Sequence, residues 1–166
     1  MSKKHSRPRR VHMGRPASLA GVRPDKRLGQ NFLINPSVCP RMADYAADGD
    51  NVGVLEIGPG IGVLTNELLK RAKKVVAVEL DKRLLPVLDE TLAEYDNLKV
   101  VNADVMALDL NALIRDEFPD MRVVVCANLP YYITSPVIMK LLEDRLPIDS
   151  ITVMVQKEDR KSTRLN

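Results

Sequence analysis

Five short runs of apolar and β-branched residues recur in the chain between residues 52 and 155. Near-continuous apolar runs of this length are typical of strands buried on both faces of a parallel sheet. The predicted strands are 52–57, 74–79, 98–101, 122–127 and 150–155. The segments between them have apolar positions spaced near 3.6 residues, which predicts helices. The predicted helices are 61–72, 81–94, 108–117 and 135–145.

Strand and helix alternate along the chain, and this order predicts an α/β fold. Right-handed crossovers between parallel strands place helices on both faces of a doubly wound sheet. A further helix is predicted over 36–47, with Asn35 as its N-cap and Pro36 at its first position. In such folds ligands bind beyond the carboxyl ends of the strands, near the point where the strand order reverses. This rule directs attention to the residues that follow positions 57, 79, 101 and 127.

Charge is distributed unevenly along the 166 residues. Residues 1–27 contain nine basic side chains and one acid, although the whole chain has a net charge of only +3. We predict that 1–25 forms a basic, disordered arm that contacts a polyanion. The acid-free, Arg-rich start also fits a mitochondrial presequence, but its prolines oppose the amphipathic helix that a presequence needs. No apolar run approaches the roughly 18 residues of a membrane span, and we expect no membrane association.

The chain has few cysteine and histidine residues that could bind a metal ion or activate a nucleophile. The chain has two cysteines, Cys39 and Cys126, and two histidines, His5 and His12, both in the basic arm. This set does not match the spacing of a zinc site. It also leaves no histidine in the folded part to activate a serine or cysteine nucleophile. We therefore expect no metal and no triad chemistry.

A glycine-rich loop follows the first predicted strand. It contains Gly58, Gly60 and Gly62, and the absence of Cβ atoms permits a tight turn and a close approach to a ligand. Its G-x-G-x-G spacing differs from the dinucleotide fingerprint, and no G-K-[ST] follows, so a nucleotide triphosphate loop is not indicated. Taken alone, such a loop is equally compatible with a plain connection.

Two acids follow the next two strands. Glu79 ends the second strand, where a carboxylate can accept hydrogen bonds from both hydroxyls of a ribose. Asp104 follows the third strand, in position to meet the exocyclic amine of an adenine. Asp104 alone is more simply explained as a turn or helix-cap residue. The glycine loop and both acids together favour a cofactor that contains adenosine.

The fourth strand leads into the segment Asn128, Leu129, Pro130 and Tyr131. The segment can be a simple connection with buried tyrosines. A chemical interpretation explains more of its residues: the Asn128 side-chain oxygen and the Leu129 carbonyl would accept hydrogen bonds from an aromatic amine such as adenine N6. Two acceptors there favour a nitrogen lone pair that attacks an electrophilic carbon. Pro130 would stiffen the turn, and Tyr131 would stack on the base.

With these motifs the chain resembles the ribosomal RNA adenine N6,N6-dimethyltransferase family. The resemblance extends from Lys26 to Glu158 through KRLGQNFL, LEIGPGIGVLT, VVAVELD, NADVMALD, NLPYYIT and MVQKE. It implies a Rossmann-like methyltransferase core over 26–158 that uses S-adenosylmethionine. The residues that the resemblance assigns to the cofactor are Asn31, Leu33, Gly58, Gly60, Glu79, Asp104 and Asn128.

The resemblance also implies a substrate, which is two adjacent adenosines near the 3′ end of small-subunit rRNA, each methylated twice. The partner would be the immature small ribosomal subunit, in the cytoplasm, and we expect the full-length enzyme to be a monomer. Alternatives are a large-subunit rRNA or DNA adenine methyltransferase, or a non-catalytic module for ribosome assembly. The glycine spacing makes an NAD-dependent dehydrogenase the weakest alternative.

The chain departs from the family after Glu158, where DRKSTRLN replaces the expected helix. We therefore expect a truncated core, incomplete at its C-terminal end, with 159–166 unlike the family. The last predicted strand would then be an open edge. Positions that would hold the target base are missing, so we expect cofactor binding to survive more readily than turnover.

Overall fold

Five parallel strands form one sheet in the computed structural model, which describes residues 21–23, 25, 37–129 and 131–154, without the side chains of residues 131 and 132. The order of the strands across the sheet is β3-β2-β1-β4-β5, and every pair is parallel. This confirms the predicted doubly wound α/β fold. The strands are β1 Val52–Ile57, β2 Lys74–Glu79, β3 Leu98–Asn102, β4 Arg122–Asn128 and β5 Ile151–Met154.

Helices cover both faces of this sheet. The helices are α1 Cys39–Ala46, α2 Val63–Leu69, α3 Leu85–Thr91, α4 Leu110–Glu117 and α5 Tyr131–Glu143. One buried cluster joins α1, α2 and α3 to the first face, and a second joins α4 and α5 to the other face. Of the helices that the structure describes, none is long and apolar enough to cross a membrane.

Successive side chains along each strand point to opposite faces of the sheet. In β1, Val52 and Val54 pack in the cluster of α1 and α2, whereas Leu55 and Ile57 pack in that of α4 and α5. Glu56 therefore points toward the α1 and α2 face. The same alternation places the last residues of β2 and β4 on that face, because Val75 of β2 and Cys126 of β4 belong to its cluster.

Two predicted helix starts are wrong. The helix predicted from Pro36, with Asn35 as cap, begins instead at Cys39 with Val38 in the cap position. Pro40 stands in the first turn of this helix, where proline is tolerated, and Asn35 and Pro36 lie outside the described residues. The helix predicted over 135–145 begins four residues earlier, at Tyr131.

Packing explains the earlier start of α5. Its buried residues Thr134, Val137 and Leu141 recur at helical spacing against the sheet, and this burial outweighs the strand preference of the Tyr-Ile-Thr stretch. The helix predicted over 81–94 is also divided. A 3-10 turn, Lys82–Leu84, precedes α3, because Asp81 caps it by accepting a hydrogen bond from the Arg83 N–H at 3.0 Å.

Candidate cofactor and acceptor site

The strand order changes direction between β1 and β4. The chain leaves β1 toward α2 on one face and leaves β4 toward α5 on the other face. Such a switch opens a crevice that doubly wound proteins use to bind ligands. We call the edge of the sheet at the carboxyl ends of β1, β2, β3 and β4 the switch-point rim. Gly58 follows β1 there, Glu79 ends β2, Asp104 follows β3 and Asn128 ends β4.

The glycine loop has the left-handed backbone that its composition predicts. The φ angles of Gly58, Gly60 and Gly62 are +71°, +58° and +91°, values that L side chains rarely adopt. A Cβ atom on Gly60 would meet no atom within 4 Å, so the space above this part of the loop is open. A Cβ on Gly62 would lie 3.1 Å from side-chain atoms of Leu88 and Leu92. Gly62 therefore serves the packing of α3, and Gly60 is left to face a ligand.

Glu79 connects the glycine loop to the end of β2. The side chain is 6% exposed, and its Oε2 accepts a hydrogen bond from the Gly60 N–H at 3.1 Å. Its Oε1 accepts one from the Asp81 N–H at 3.0 Å. Burial raises the pKa of Glu79, and these N–H donors act in the opposite direction. A carboxylate has about four acceptor positions, so two remain for the hydroxyls of a ribose.

Asp104 has the turn role that its sequence context also allowed. Its Oδ1 accepts a hydrogen bond from the Met106 N–H at 2.9 Å, and the side chain is exposed. Nearby, Asn102 Nδ2 donates to the carbonyls of Glu79 at 2.8 Å and Leu80 at 3.2 Å, which fixes the ends of β2 and β3 together. Leu80 and Met106 are 51% and 41% exposed. These two exposed apolar side chains were not predicted as site residues. No local pattern in the sequence marks them, because their exposure becomes visible only in the structure.

The turn after β4 lies against the glycine loop. A Cβ on Gly58 would be 3.2 Å from Leu129 Cδ2 and 3.7 Å from the Asn128 carbonyl oxygen. Leu129 is buried and Asn128 is half-buried. By strand alternation the Asn128 side chain projects on the face that Glu79 occupies. The structure thus places the glycine loop, Glu79 and the predicted amine acceptor Asn128 at the same edge of the sheet.

Several predicted site residues lie outside what the structure describes. Asn31, Leu33 and Pro130 are not among the described residues. Tyr131 is the first residue of α5, but its side chain is not described. The contacts predicted for these four residues stay predictions, as do the boundaries of the basic arm and of the 159–166 tail.

Two buried polar residues below the loop were missed. Glu56 is 1% exposed and Thr65 is fully buried. Glu56 Oε2 and Thr65 Oγ1 have no hydrogen-bond partner in the described ranges. Burial raises the pKa of Glu56 to about 8, and the Thr65 hydroxyl beside the carboxyl lowers it in part. The signal in the sequence is the single charged residue of the strand VGVLEI.

The two cysteines are buried on the same face of the sheet. Burial raises the pKa of Cys39 to about 11 and raises that of Cys126 as well, so both thiols are protonated at neutral pH and unreactive. Within the described residues, no three His, Cys, Asp or Glu side chains are grouped to hold a metal ion.

The chain is similar in sequence to known proteins. Ribosomal RNA small subunit methyltransferase A of Bacillus pumilus is 54% identical over 134 residues, which are 80% of this chain and 46% of that protein. The protein of the same name from Bacillus mycoides is 55% identical with the same coverage. The chain therefore spans about half the length of the curated relatives it matches.

Solved structures agree with the fold. The 23S rRNA methyltransferase ErmE superposes with a TM-score of 0.64 at 35% identity, covering 77% of this chain and 49% of ErmE. A dimethyladenosine transferase from Plasmodium falciparum has a TM-score of 0.60 at 37% identity, covering 76% and 44%. The sequence model of the family described as ribosomal RNA adenine dimethylase matches residues 22–164. With this match over most of its length, the chain belongs to the ribosomal RNA adenine dimethylase family.

Proposed function

We propose that this chain is the cofactor-binding core of an enzyme that methylates N6 of two adjacent adenosines near the 3′ end of small-subunit rRNA. S-adenosylmethionine would be the methyl donor, and an immature small subunit the substrate. The main support is the contact of the turn after β4 with the glycine loop, at 3.2 Å from Leu129 to the Cβ position of Gly58. A methyl donor above the open side of the loop at Gly60 would therefore lie beside the turn that holds the amine.

The residues of the rim fit the proposed cofactor. Gly60 leaves open space above the loop, and Glu79 retains acceptor positions for ribose hydroxyls. Leu80 and Met106 offer exposed apolar surface for an adenine, with Asp104 beside them for the exocyclic amine. When bound, S-adenosylmethionine supplies an electrophilic methyl group on a sulfonium.

The turn after β4 would act on the target amine. The Asn128 side-chain oxygen and the Leu129 carbonyl would accept hydrogen bonds from the two N6 hydrogens, and so direct the nitrogen lone pair away from the ring. These acceptors stabilise the positive charge that develops on nitrogen as the bond to carbon forms, and such preorganised groups contribute strongly to catalysis. The methylated ammonium loses its proton to water, so no general base is required.

The choice of the small subunit rests on the relatives. The proteins at 54% and 55% identity are named for the small subunit, whereas the large-subunit enzyme ErmE is 35% identical. We also propose a cytoplasmic location and a monomeric full-length enzyme. The mitochondrial alternative would be favoured if a reporter fused to residues 1–27 entered mitochondria.

The test is transfer of labelled methyl groups to immature small subunits, with mass spectrometry of the digested rRNA. Asn128→Ala removes one acceptor and should lower the rate at saturating S-adenosylmethionine by about 10²-fold or more. Asn111→Ala, on α4, is the matched control and should leave the rate unchanged. Methylation of duplex DNA instead would favour the DNA alternative. An unchanged yield of dimethyladenosine with Asn128→Ala would contradict the catalytic role of Asn128, and a wild type that binds the subunits without methylating them would favour a scaffold.

A further inference from the structure

We propose that β5 pairs with the β5 strand of a second copy of this chain, so that a two-fold axis joins the two sheets into one continuous sheet. The interface consists of the β5 edge and the sides of α1 and α5 that flank it. The inference goes beyond the proposed function, because no cofactor or substrate takes part in it. It concerns the 166-residue chain, which has about half the length of the curated relatives, and not the monomer proposed for the full-length enzyme.

The two edges of the described sheet differ in their protection against pairing. The strand order places β3 at one edge and β5 at the other. β3 contains the exposed Lys99, and proteins use charges of this kind to prevent edge-to-edge pairing. β5, Ile151–Met154, contains no charged residue and no proline. An edge without such protection is a template for another strand, so pairing is expected at β5 and not at β3.

The backbone of β5 offers two residues for this pairing. The Ser150 carbonyl accepts a hydrogen bond from the Val125 N–H of β4 at 2.9 Å. Backbone groups of successive residues in a strand point to alternate sides, so those of Thr152 also face β4. Ile151 and Val153 therefore direct their N–H and C=O groups to the free edge. In an antiparallel pair centred on Thr152, Ile151 of each copy exchanges both hydrogen bonds with Val153 of the other.

On one face of the sheet, α5 adds an apolar side to this edge. Ile151 packs in the cluster that contains α5. Asn111 Nδ2 of α4 donates a hydrogen bond to the carbonyl of Asp144, just after α5, at 3.0 Å, so this side of α5 faces α4. Leu142 lies about 160° round the helix from Asp144, on the side of the free edge. It is 60% exposed, at the place where α5 of the second copy would come.

On the other face, α1 has a similar exposed side chain. This helix packs over β4 and β5. Ala43 is buried, and the next residue, Asp44, pairs with Arg71 just after α2 at 2.7 Å. The helix surface thus turns from the sheet at Ala43, past α2 at Asp44, to the side away from α2 at Tyr45. Tyr45 is 75% exposed, so large exposed side chains flank β5 on both faces.

The surface formed by Tyr45, β5 and Leu142, which we call the β5 strip, suits a two-fold axis. Residues beside such an axis meet their own counterparts, so charges there would repel each other. Tyr45, Leu142 and the four residues of β5 are all uncharged. Thr152, at the axis, would meet its counterpart, and Thr–Thr pairs stabilise antiparallel strands.

The size of the β5 strip is sufficient for a stable dimer. Its height is about 30 Å, the thickness of a helix, a sheet and a second helix. Its length is about 20 Å, the length of the 13 residues of α5. The buried area is therefore about 600 Å² per copy and about 1,200 Å² in total, above the roughly 1,000 Å² expected of a specific interface.

The first experiment is sedimentation velocity of the 166-residue chain without ligand, over a range of protein concentrations. The wild type should sediment as a dimer, with twice the 18.5 kDa of one chain. Leu142→Lys should weaken the dimer by about 100-fold or more, because the axis brings two added charges together across apolar surface. Thr152→Lys should do the same. Ala93→Lys, which adds the same charge at an exposed position between α3 and β3, is the control and should remain dimeric.

The register has a test of its own. Antiparallel pairing about Thr152 places the Cα atoms of the two copies of this residue about 4.5 Å apart, which a disulfide can bridge. Thr152→Cys should therefore form a disulfide-linked dimer with oxidised glutathione, which is reduced to two molecules of glutathione. Lys99→Cys, on the β3 edge, should stay unlinked. Cys39 and Cys126 are buried and do not compete.

The outcomes decide on the pairing of β5 alone. A chain that stays monomeric at every concentration would overturn the proposal, and so would a dimer that both lysine variants leave intact. Assemblies that grow beyond two chains would overturn it too, because two-fold edge pairing is closed. If circular dichroism shows that the lysine variants do not fold, cross-linking of Thr152→Cys decides, and a dimer without that cross-link would overturn the pairing. The measurements contain no cofactor, so their failure leaves the proposed function unaffected.

Discussion

At the scale of single residues, two buried carboxyl groups on adjacent strands have opposite surroundings. Glu79 accepts hydrogen bonds from two backbone N–H groups, whereas Glu56 Oε2 has no partner among the described residues. Backbone donors stabilise a carboxylate, and burial without donors favours the neutral acid. Glu79 thus has backbone donors that favour its carboxylate, while burial favours the neutral acid at Glu56.

We expect Glu79→Gln to weaken binding of S-adenosylhomocysteine by about 10- to 100-fold, since hydrogen bonds to charged groups contribute roughly 1.5–3 kcal/mol. An amide also turns its NH₂ group against one of the two N–H donors that Glu79 satisfies. Equilibrium dialysis with labelled ligand measures the loss. Glu117→Gln, at the opposite edge of the sheet where Glu117 pairs with Lys74 and Lys99, should keep full affinity. Equal affinity of both variants would refute the ribose role.

Glu56 also predicts how stability depends on pH. Burial raises its pKa to about 8 in the folded chain, against the ordinary value of 4.5 for an unburied glutamate. Between these values the folded state binds more protons than the unfolded state, so the free energy of unfolding falls as pH rises from about 4.5 to 8. The loss should be on the order of a few kcal/mol.

Urea unfolding at pH 5.5 and pH 7.5 tests this expectation. Glu56→Gln should be less sensitive to pH than wild type over this range, because a neutral side chain replaces the titrating one. A wild-type urea midpoint that does not fall between pH 5.5 and pH 7.5 would contradict the expectation. A fall of the same size in Glu56→Gln would show that another group causes the pH dependence.

Individual residues differ in how far the sequence predicts them. Gly58 and Glu79 stand at the ends of apolar strands, and local pattern was enough to select them. Glu56 lies within a strand whose other members are apolar or glycine, so the periodicity alone marks it as core. Its unsatisfied state depends on where Thr65 and the helices come to lie, which is a tertiary fact. Leu80 and Met106 were missed for the same reason, since exposure cannot be seen in a local pattern.

At the scale of elements, two glycines of the glycine loop have different roles, one toward a ligand and one in packing. Gly60 faces open space, and Gly62 permits close packing of α2 against α3. Both have positive φ, so alanine is strained at either one. Only at Gly62 does the new methyl group also meet neighbouring side chains.

Gly62→Ala should therefore destabilise the fold more than Gly60→Ala, by about 1–3 kcal/mol, the range for overpacking a core. Gly60→Ala should instead mainly reduce binding of S-adenosylhomocysteine, because its methyl group occupies the ligand side of the loop. Thermal unfolding and dialysis on both variants separate the two effects. The opposite ranking, with Gly60→Ala the less stable variant, would show that the loop faces have been assigned wrongly.

The existence of each strand and helix was predicted from periodicity, but several boundaries were not. The five strands agree within a few residues because buried β-branched runs have no competing pattern. The start of α1 was placed three residues too early because Pro36 fits the first position of a helix as well as Pro40 does, and the local pattern does not choose between them. The start of α5 was misplaced because Tyr131–Thr134 resembles a turn or strand until Thr134 and Val137 are seen to be buried on one helix face.

At the scale of the whole molecule, one edge of the sheet combines all the candidate chemistry. The sequence predicts parallel strands and a site at their carboxyl ends, but neither the strand order nor the face of each side chain. The order β3-β2-β1-β4-β5 arranges Asp104, Glu79, Glu56 and Asn128 in a row along the rim. A bound cofactor would follow this row from adenine to methyl group.

The location of this row is tested most directly by nuclear magnetic resonance of the ¹⁵N-labelled chain titrated with S-adenosylhomocysteine. The largest amide shifts should fall on the switch-point rim, at Gly58, Gly60, Leu80, Met106 and Leu129. Amides at the opposite edge of the sheet, such as those of Lys74 and Lys99, should change little. A folded chain whose amides do not shift, or whose shifts gather at that opposite edge, would contradict the account.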